Sequence, residues 1–433
     1  MSEWQLTKLK KCIRVKHGFP FKSEFFAETG DFVVLTPGNF YEEGGFKRNE
    51  GKDKCYTQSF PEEYLLKKDD LVVAMTEQAE GLLGSAALVP ENGKFLHNQR
   101  LGLLTAIDPG LDLGFVYHLF KTKTVRTQIR LSASGSKVKH TSPDRIGDVE
   151  VRLPPKDIQG KIAKVLSTLD AKITLNRRLN AELEAMAKLL YDYWFVQFDF
   201  PISAAQAAAM DKPELEGKPY RTSGGKMAYN EKLKREIPEG WVCKELADIA
   251  NITMGQSPPG HSYNELREGE LFFQGSTDFG WRFPAPRQYT TAPTRIANEG
   301  DILLSVRAPV GTLNIAPARC AIGRGLAALR SKLGHAPFLF RVMENLRSVF
   351  NRRNTDGTTF GCINRDDLRS LKLSYPADDD LVRKFDERIK PMEQLIFTNH
   401  LQEVHLTQLR DWLLPMLMNG QVTVGDPAAT QEG

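Results

Sequence analysis

The chain has 433 residues, enough for two or three domains with separate cores, and its 41% hydrophobic and 26% charged composition is that of an ordinary soluble protein. No apolar run reaches the roughly 20 residues of a membrane span, and MSEWQLTKLKK is no secretory signal, so a cytoplasmic protein with no membrane partner is expected. A net charge of +4 is compatible with a phosphate-binding surface, whereas Cys12, Cys55, Cys243, Cys320 and Cys362 share no matched spacing and support neither a disulfide framework nor a zinc or other metal site.

Taken in order, the elements occur twice. Trp4, Leu9, Val15 and Gly18 return as Trp241, Leu246, Ile252 and Gly255. The strand candidate DFVVL at 31–35, followed by the turn TPGNF, returns as ELFFQ at 270–274 followed by GSTDF. DLVVAM from Asp70 matches DILLSV from Asp301, each a buried strand entered from a polar turn. The helical segments GFVYHLFKTKTVRTQI and PFLFRVMENLRSVFNR follow. Then GSKVKHTSPDRIGDVEVRLPP, from Gly135, aligns without gaps on GTTFGCINRDDLRSLKLSYPA, from Gly357. In both, a glycine-bearing polar loop leads to a turn, to an alternating strand (Val149, Val151, Leu153 against Leu371, Leu373, Tyr375), and to Pro154 or Pro376. A repeat on this scale predicts two tandem α/β (α+β) domains.

Each copy runs into a long helix. In the first, predicted over 156–198, Ile162, Leu166, Leu169, Ile173, Leu183 and Leu190 form a seam of alternating three- and four-residue steps, with Asn176, Asn180 and Ala187 on the same stripe. In the second, over 378–420, Phe385, Ile389, Met392, Ile396, Leu406 and Leu413 take those places, and Asn176, Asn180 and Ala187 map onto Asn399, Glu403 and Arg410. The two helices are expected to pair as an antiparallel coiled coil, giving the molecule pseudo-twofold symmetry and a spacer of about 60 Å. Pro391 predicts a kink or a late start in the second helix. The expected domains are therefore 1–155, the spacer helix 156–198, a linker at 199–236, a second domain at 237–377, the helix 378–420 and a tail at 421–433.

This order of parts resembles the specificity subunit of type I restriction-modification systems. The resemblance covers nearly the whole chain and rests on IPEGW at Ile237, LPP at Leu153, NRRLNAELEAM followed by YDYWFVQFDF from Tyr191, and LRDWLLPMLMNGQV from Leu409. It implies a non-catalytic reader of double-stranded DNA. In that family each recognition domain reads one half of a bipartite asymmetric target and the helices set the gap. The helices also dock two modification subunits that carry S-adenosylmethionine and methylate adenine, and restriction subunits using ATP and Mg join to translocate and cut. The chain itself would bind no cofactor.

The residues themselves carry no convincing catalytic motif. GRGLAA, at Gly323, Gly325 and Ala328, fits a loose dinucleotide pattern but reads better as a turn and a buried strand. No adenine-methyltransferase motif is found, and the acidic pair in PDRIGDVEVR is lost in the second copy, where Glu150 becomes Lys372. The competing readings are a protein-binding scaffold of duplicated domains, or a self-contained methyltransferase or nuclease. For DNA contact the candidates in the first domain are Asn98 with Gln99 and Arg100, then Lys137, Lys139 and His140, with Lys121, Lys123, Arg126 and Arg130 as further cations. In the second they are Arg307, Arg324, Arg352, Arg353, Asn354 and Thr358.

Overall fold

A computed structural model describes residues 4–49, 51–77, 81–347, 350 and 362–425. The chain divides into two compact units, and the division falls within the long helices. One unit holds residues 1–177 and 400–433, the other residues 178–399. Each unit therefore contains one copy of the repeated domain with part of the helix Lys156–Tyr191 and part of the helix Asp380–Met418.

In the first unit an antiparallel sheet has the order Ile13–His17, Leu101–Ala106, Leu71–Ala74, Ala86–Leu88. Successive side chains leave opposite faces of a strand. Leu71 and Val73 thus enter a core with Phe115 and Ile129 from the helices Leu113–Leu119 and Lys123–Leu131 and with Phe120, which caps the first of them, while Val72 and Ala74 enter a core with Val33, Leu35 and Phe95. Burial on both faces explains why this strand is a continuous apolar run. Val33–Val34 belongs to a second small sheet, where it pairs in parallel with Phe95–Leu96.

The second unit repeats this plan by itself. Its sheet order is Ala250–Met254, Leu326–Ser331, Ile302–Ser305, Leu313–Ile315, the same sequence of matched strands. Ile302 and Leu304 face a core with Phe338 and Met343, and Leu303 faces the other with Phe273 and Ile322. Glu270–Phe273 again finds a parallel partner, Cys320–Ile322. A ribbon joins the ends of each domain, Gln5–Lys8 with Glu150–Leu153 and Val242–Glu245 with Lys372–Tyr375. Even single backbone bonds recur, since Leu9 N–H donates to the Val149 carbonyl and Leu246 N–H to the Leu371 carbonyl.

The long helices meet inside both units. Ile162, Leu166, Ile173, Phe385, Ile389 and Ile396 are buried, and Leu169, Leu183, Leu190, Met392, Leu406 and Leu413 are half-buried. In the first unit Asn176 Nδ2 donates to Gln402 Oε1 at 3.2 Å, and Arg177 Nε to Glu403 Oε1 at 2.6 Å. In the second, Asn399 Nδ2 donates to Asn180 Oδ1 at 2.9 Å and Asn180 Nδ2 to the Ile396 carbonyl at 3.3 Å. Polar seam groups thus face polar groups, which removes the cost of burying them alone.

Three expectations are corrected. The first helix leaves α geometry at Tyr191, and a π-helical turn, Asp192–Val196, follows. The wider turn admits the adjacent rings of Trp194 and Phe195 to the core together. The segment 199–236 is no loose linker. Besides the two helical turns that AAQAAAM allows, Ala204–Ala209, it forms the hairpin Met227–Asn230 with Arg235–Pro238, and it buries Phe200, Ile202, Ala207 and Tyr220. Phe200 stacks on Tyr220 and Trp241, with centroids 4.7 and 5.5 Å away. Finally, the second helix starts at Asp380 and is unbroken through Pro391, which removes the late start from the two alternatives. Both Pro391 and Glu387 four residues earlier are exposed, so water can satisfy the carbonyl that the proline leaves without a donor.

Candidate nucleic-acid interface

Three backbone segments lie side by side at one end of the first unit's sheet. Met75 N–H donates to the Arg100 carbonyl and Thr141 N–H to the Met75 carbonyl, both at 2.9 Å, and Lys139–His140 pairs antiparallel with Thr76–Glu77. The turn at 98–100 and the loop ending at His140 are thereby brought together through residues 75–77. In the second unit Val306 N–H donates to the Gly325 carbonyl at 2.9 Å and Ile363 N–H to the Val306 carbonyl at 3.0 Å, while Arg307 bridges to Cys362. The frame is the same and its side chains differ. Gln99, Arg100, Thr76 and His140 in one unit stand where Arg324, Gly325, Arg307 and Cys362 stand in the other.

The repeated glycines explain how the turn is held. A Cβ on Gly18 would lie 2.1 Å from the Asn98 carbonyl oxygen, and one on Gly255 would lie 2.1 Å from that of Gly323. At such a distance only glycine fits. The close approach lets Phe19 N–H reach the His97 carbonyl at 2.8 Å and Gln256 N–H reach the Ile322 carbonyl at 3.0 Å.

Apart from Gln99, Lys123, Arg130 and Arg324, the candidate residues fall into three groups. Arg100, Lys137, His140 and Arg307 are exposed and Lys139 is half-buried, and none of their side-chain nitrogens has a hydrogen-bond partner among the described residues. Arg100 borders a 380 Å³ cavity whose walls include Lys52, Lys54 and Asn49. A second group has structural work. Asn98 is buried, and its Oδ1 accepts the Arg100 N–H at 2.9 Å, which shapes the turn. Lys121 pairs with Asp170 at 2.6 Å with its side chain 6% exposed, and Arg126 donates to the Gly81 carbonyl. Burial pushes the Arg126 guanidinium below its ordinary pKa, against the pull of Glu77 and Glu42. These two cations, expected from sequence as candidate DNA contacts, are already engaged within the protein. Third, Arg352, Arg353, Asn354 and Thr358 lie outside the described residues.

Sequence reasoning missed the buried ionic clusters that fasten each domain to its helix segments. In the second unit Arg341, with no side-chain exposure, binds Glu184 at 2.5 Å, Glu344 at 2.7 Å and Glu393 at 3.1 Å. Arg282 binds the same Glu184 and Glu393 at 3.0 and 2.6 Å and stacks over Phe340 at 3.5 Å. Burial would raise the Glu184 pKa, but Arg341 and Arg282 outweigh it and hold the carboxyl below its ordinary range. At Glu344 burial prevails over Arg341 and the pKa rises. The first unit has its own version, in which Asp170 takes Lys121 at 2.6 Å and Arg410 at 3.0 Å, beside His118. His118 and Asp170 occupy the places of Arg341 and Glu393 in the repeat. The available signal was a charge inside an otherwise apolar helix, as in PFLFRVMEN.

Among the described residues no group of three or more His, Cys, Asp or Glu could hold a metal ion, and no helix is long and apolar enough to cross a membrane.

The family model for the type I restriction modification DNA specificity domain matches residues 1–185 and 238–389. The chain is 30% identical over 360 residues to MjaX of Methanocaldococcus jannaschii, named as a candidate type I restriction enzyme specificity subunit, covering 80% of this chain and 77% of that protein. It is 23% identical over 339 residues to the HindI specificity subunit of Haemophilus influenzae, covering 64% and 70%. Among solved structures, the type I restriction-modification S subunit of M. genitalium shares the fold with a TM-score of 0.63 over 96% of each chain, at 18% identity.

Proposed function

Because the chain belongs to the family defined by the type I restriction modification DNA specificity domain, we propose that its two domains each read one half of a bipartite, asymmetric target in double-stranded DNA. The chain is a specificity subunit, a DNA-recognition component and not an enzyme. The observation that carries the bipartite reading is the repeated three-segment frame with unlike side chains. Identical readers would select identical half-sites. Readers that share a backbone but present Gln99, Arg100 and His140 in one case and Arg324, Arg307 and Cys362 in the other select different ones.

The long helices are read as the spacer, paired as an antiparallel coiled coil with pseudo-twofold symmetry, and two domains related in that way suit a duplex whose own dyad relates its grooves. The polar seam bonds at Asn176, Asn180 and Asn399 support the pairing. Leu175, Met186 and Leu189 on the first helix are 46%, 54% and 67% exposed, which suits docking of protein partners. Two modification subunits carrying S-adenosylmethionine would take that place, joined by restriction subunits using ATP and Mg, with no cofactor on this chain. The assembly would work in the cytoplasm, where its DNA lies.

The test is single-molecule methylation mapping of genomic DNA from cells with and without this chain, alongside its modification partner. Disappearance of an asymmetric bipartite adenine-methylated motif with the chain is expected. Unchanged methylation by an assembled, active complex would replace the specificity role with that of a scaffold.

A further inference from the structure

The tip of the turn at 323–325 is built to display one side chain. Backbone crowds it from two sides, since a Cβ on Gly323 or Gly325 would lie 2.8 Å from the Gln274 carbonyl oxygen, and one on Gly255 would strike the Gly323 carbonyl. Only Arg324 between them carries a side chain, and it is exposed. Its orientation is biased. Gln274 Nε2 donates to Ser257 Oγ at 2.9 Å, and the Arg324 backbone N–H and Nε–H share the remaining acceptor capacity of that hydroxyl at 3.3 Å each, a weak tether that draws the Nε side of the guanidinium toward the turn. The two terminal nitrogens have no partner among the described residues. A guanidinium tethered through Nε and open at both Nη atoms is the donor fork that matches guanine O6 and N7.

The first unit places Gln99 at the same tip. Gln99 N–H donates to the Phe19 carbonyl at 3.0 Å, Gly18 makes the close approach of Gly255, and the Gln99 side chain is exposed and unpartnered among the described residues. A carboxamide offers one donor and one acceptor, the complement of adenine N7 and N6. We propose that this tip is a base-reading position in each domain, with Arg324 selecting a guanine in one half-site and Gln99 an adenine in the other. The assignment rests on the DNA-reading function proposed above.

The complex assembled with its modification subunits would be tested for binding to duplexes carrying the mapped motif and every single base-pair change in it. Arg324→Ala is expected to lower discrimination at one G·C position of one half-site by roughly 5- to 150-fold, the loss of one bidentate pair, and Arg324→Lys to lower it less, since an ammonium can still donate to guanine O6 and N7. Arg324→Gln should shift the preference there to A·T, and Gln99→Arg should shift one position of the other half-site from A·T to G·C. Weakening of all duplexes alike by Arg324→Ala, with Arg324→Lys restoring binding, would mark a phosphate contact and overturn the assignment. So would unchanged ratios in all four variants. A wild-type complex that prefers no duplex would instead refute the reading function itself.

Discussion

Arg341 has no solvent contact, yet it is charged, and burial of a guanidinium is tolerated only because three carboxylates surround it. Arg341→Ala would leave Glu184, Glu344 and Glu393 facing Arg282 alone. The second unit should lose about 3–5 kcal/mol, seen as a lower denaturant midpoint at constant slope. Replacing Arg341 by Met together with Glu184 by Gln should recover part of the loss, because fewer charges remain stranded. A loss below about 1 kcal/mol for Arg341→Ala would count against the cluster as a fastening.

Two buried histidines give the first unit a pH dependence of definite sign. Burial pushes His97 down to about 4, and burial together with nearby Lys121 pushes His118 down to about 3. In the unfolded chain both take a proton near pH 6.5. Above that pH neither state is charged and the contribution is complete. As pH falls below 6.5 the unfolded state gains protons that the folded state refuses until about 4 and about 3, so stability declines over that window. The slope should approach about 1.4 kcal/mol per pH unit for each histidine. His118→Gln, which can still reach Ser167, should flatten the dependence of unfolding free energy between pH 6.5 and 4.5. An unaltered slope would show that His118 titrates normally.

Residue by residue, the sequence revealed least where chemistry depends on what lies behind a side chain. Lys121 and Arg126 look like surface cations in KTKTVRTQIR, and only the fold shows Asp170 and the Gly81 carbonyl beside them. Gly18 and Gly255 are the opposite case. Their repetition marked them, and the backbone approach at 2.1 Å supplies the reason.

At the scale of elements, the helices were legible because period and repeat agree, with Ile162 and Phe385 starting stripes that stay in step for some 30 residues. The segment 199–236 was not legible. Its aromatic anchors, Phe200 and Tyr220, are too far apart to form a stripe, and they are buried by a ring stack with Trp241 that no local pattern announces. The helix seam carries a further prediction. Asn399 Nδ2 donates to Asn180 Oδ1 at 2.9 Å inside the second unit. Asn399→Leu alone should destabilise by about 1–3 kcal/mol, the cost of a buried amide left without its partner. The double change to Leu should recover most of that or exceed wild type, while relaxing the register that the polar pair selects. Thermal unfolding of the single and double variants separates these terms. A double variant no more stable than the single one would show that the pair contributes packing and not polar matching.

For the whole molecule the decisive quantity is the distance between the two half-sites, and the proposed spacer makes it adjustable. Seven residues added to an α-helix lengthen it by about 10 Å and return its apolar stripe to within about 20° of its former direction. Inserting one heptad after Arg177 and one before His400 falls at the boundary between the units in both helices, so each unit keeps its own seam contacts. Duplex DNA rises 3.4 Å per base pair, so the permitted gap should grow by about three base pairs. Those base pairs also rotate the second half-site about the duplex by roughly 100°, given 10–10.5 base pairs per turn. The insertion must therefore either move methylation to targets with a longer gap or abolish it, depending on whether the recognition domains can follow the rotation. Both outcomes are read by methylation mapping of the variant complex. An unchanged gap at undiminished methylation would mean that the helices do not set the spacing, and that the half-sites are held by the partner subunits instead.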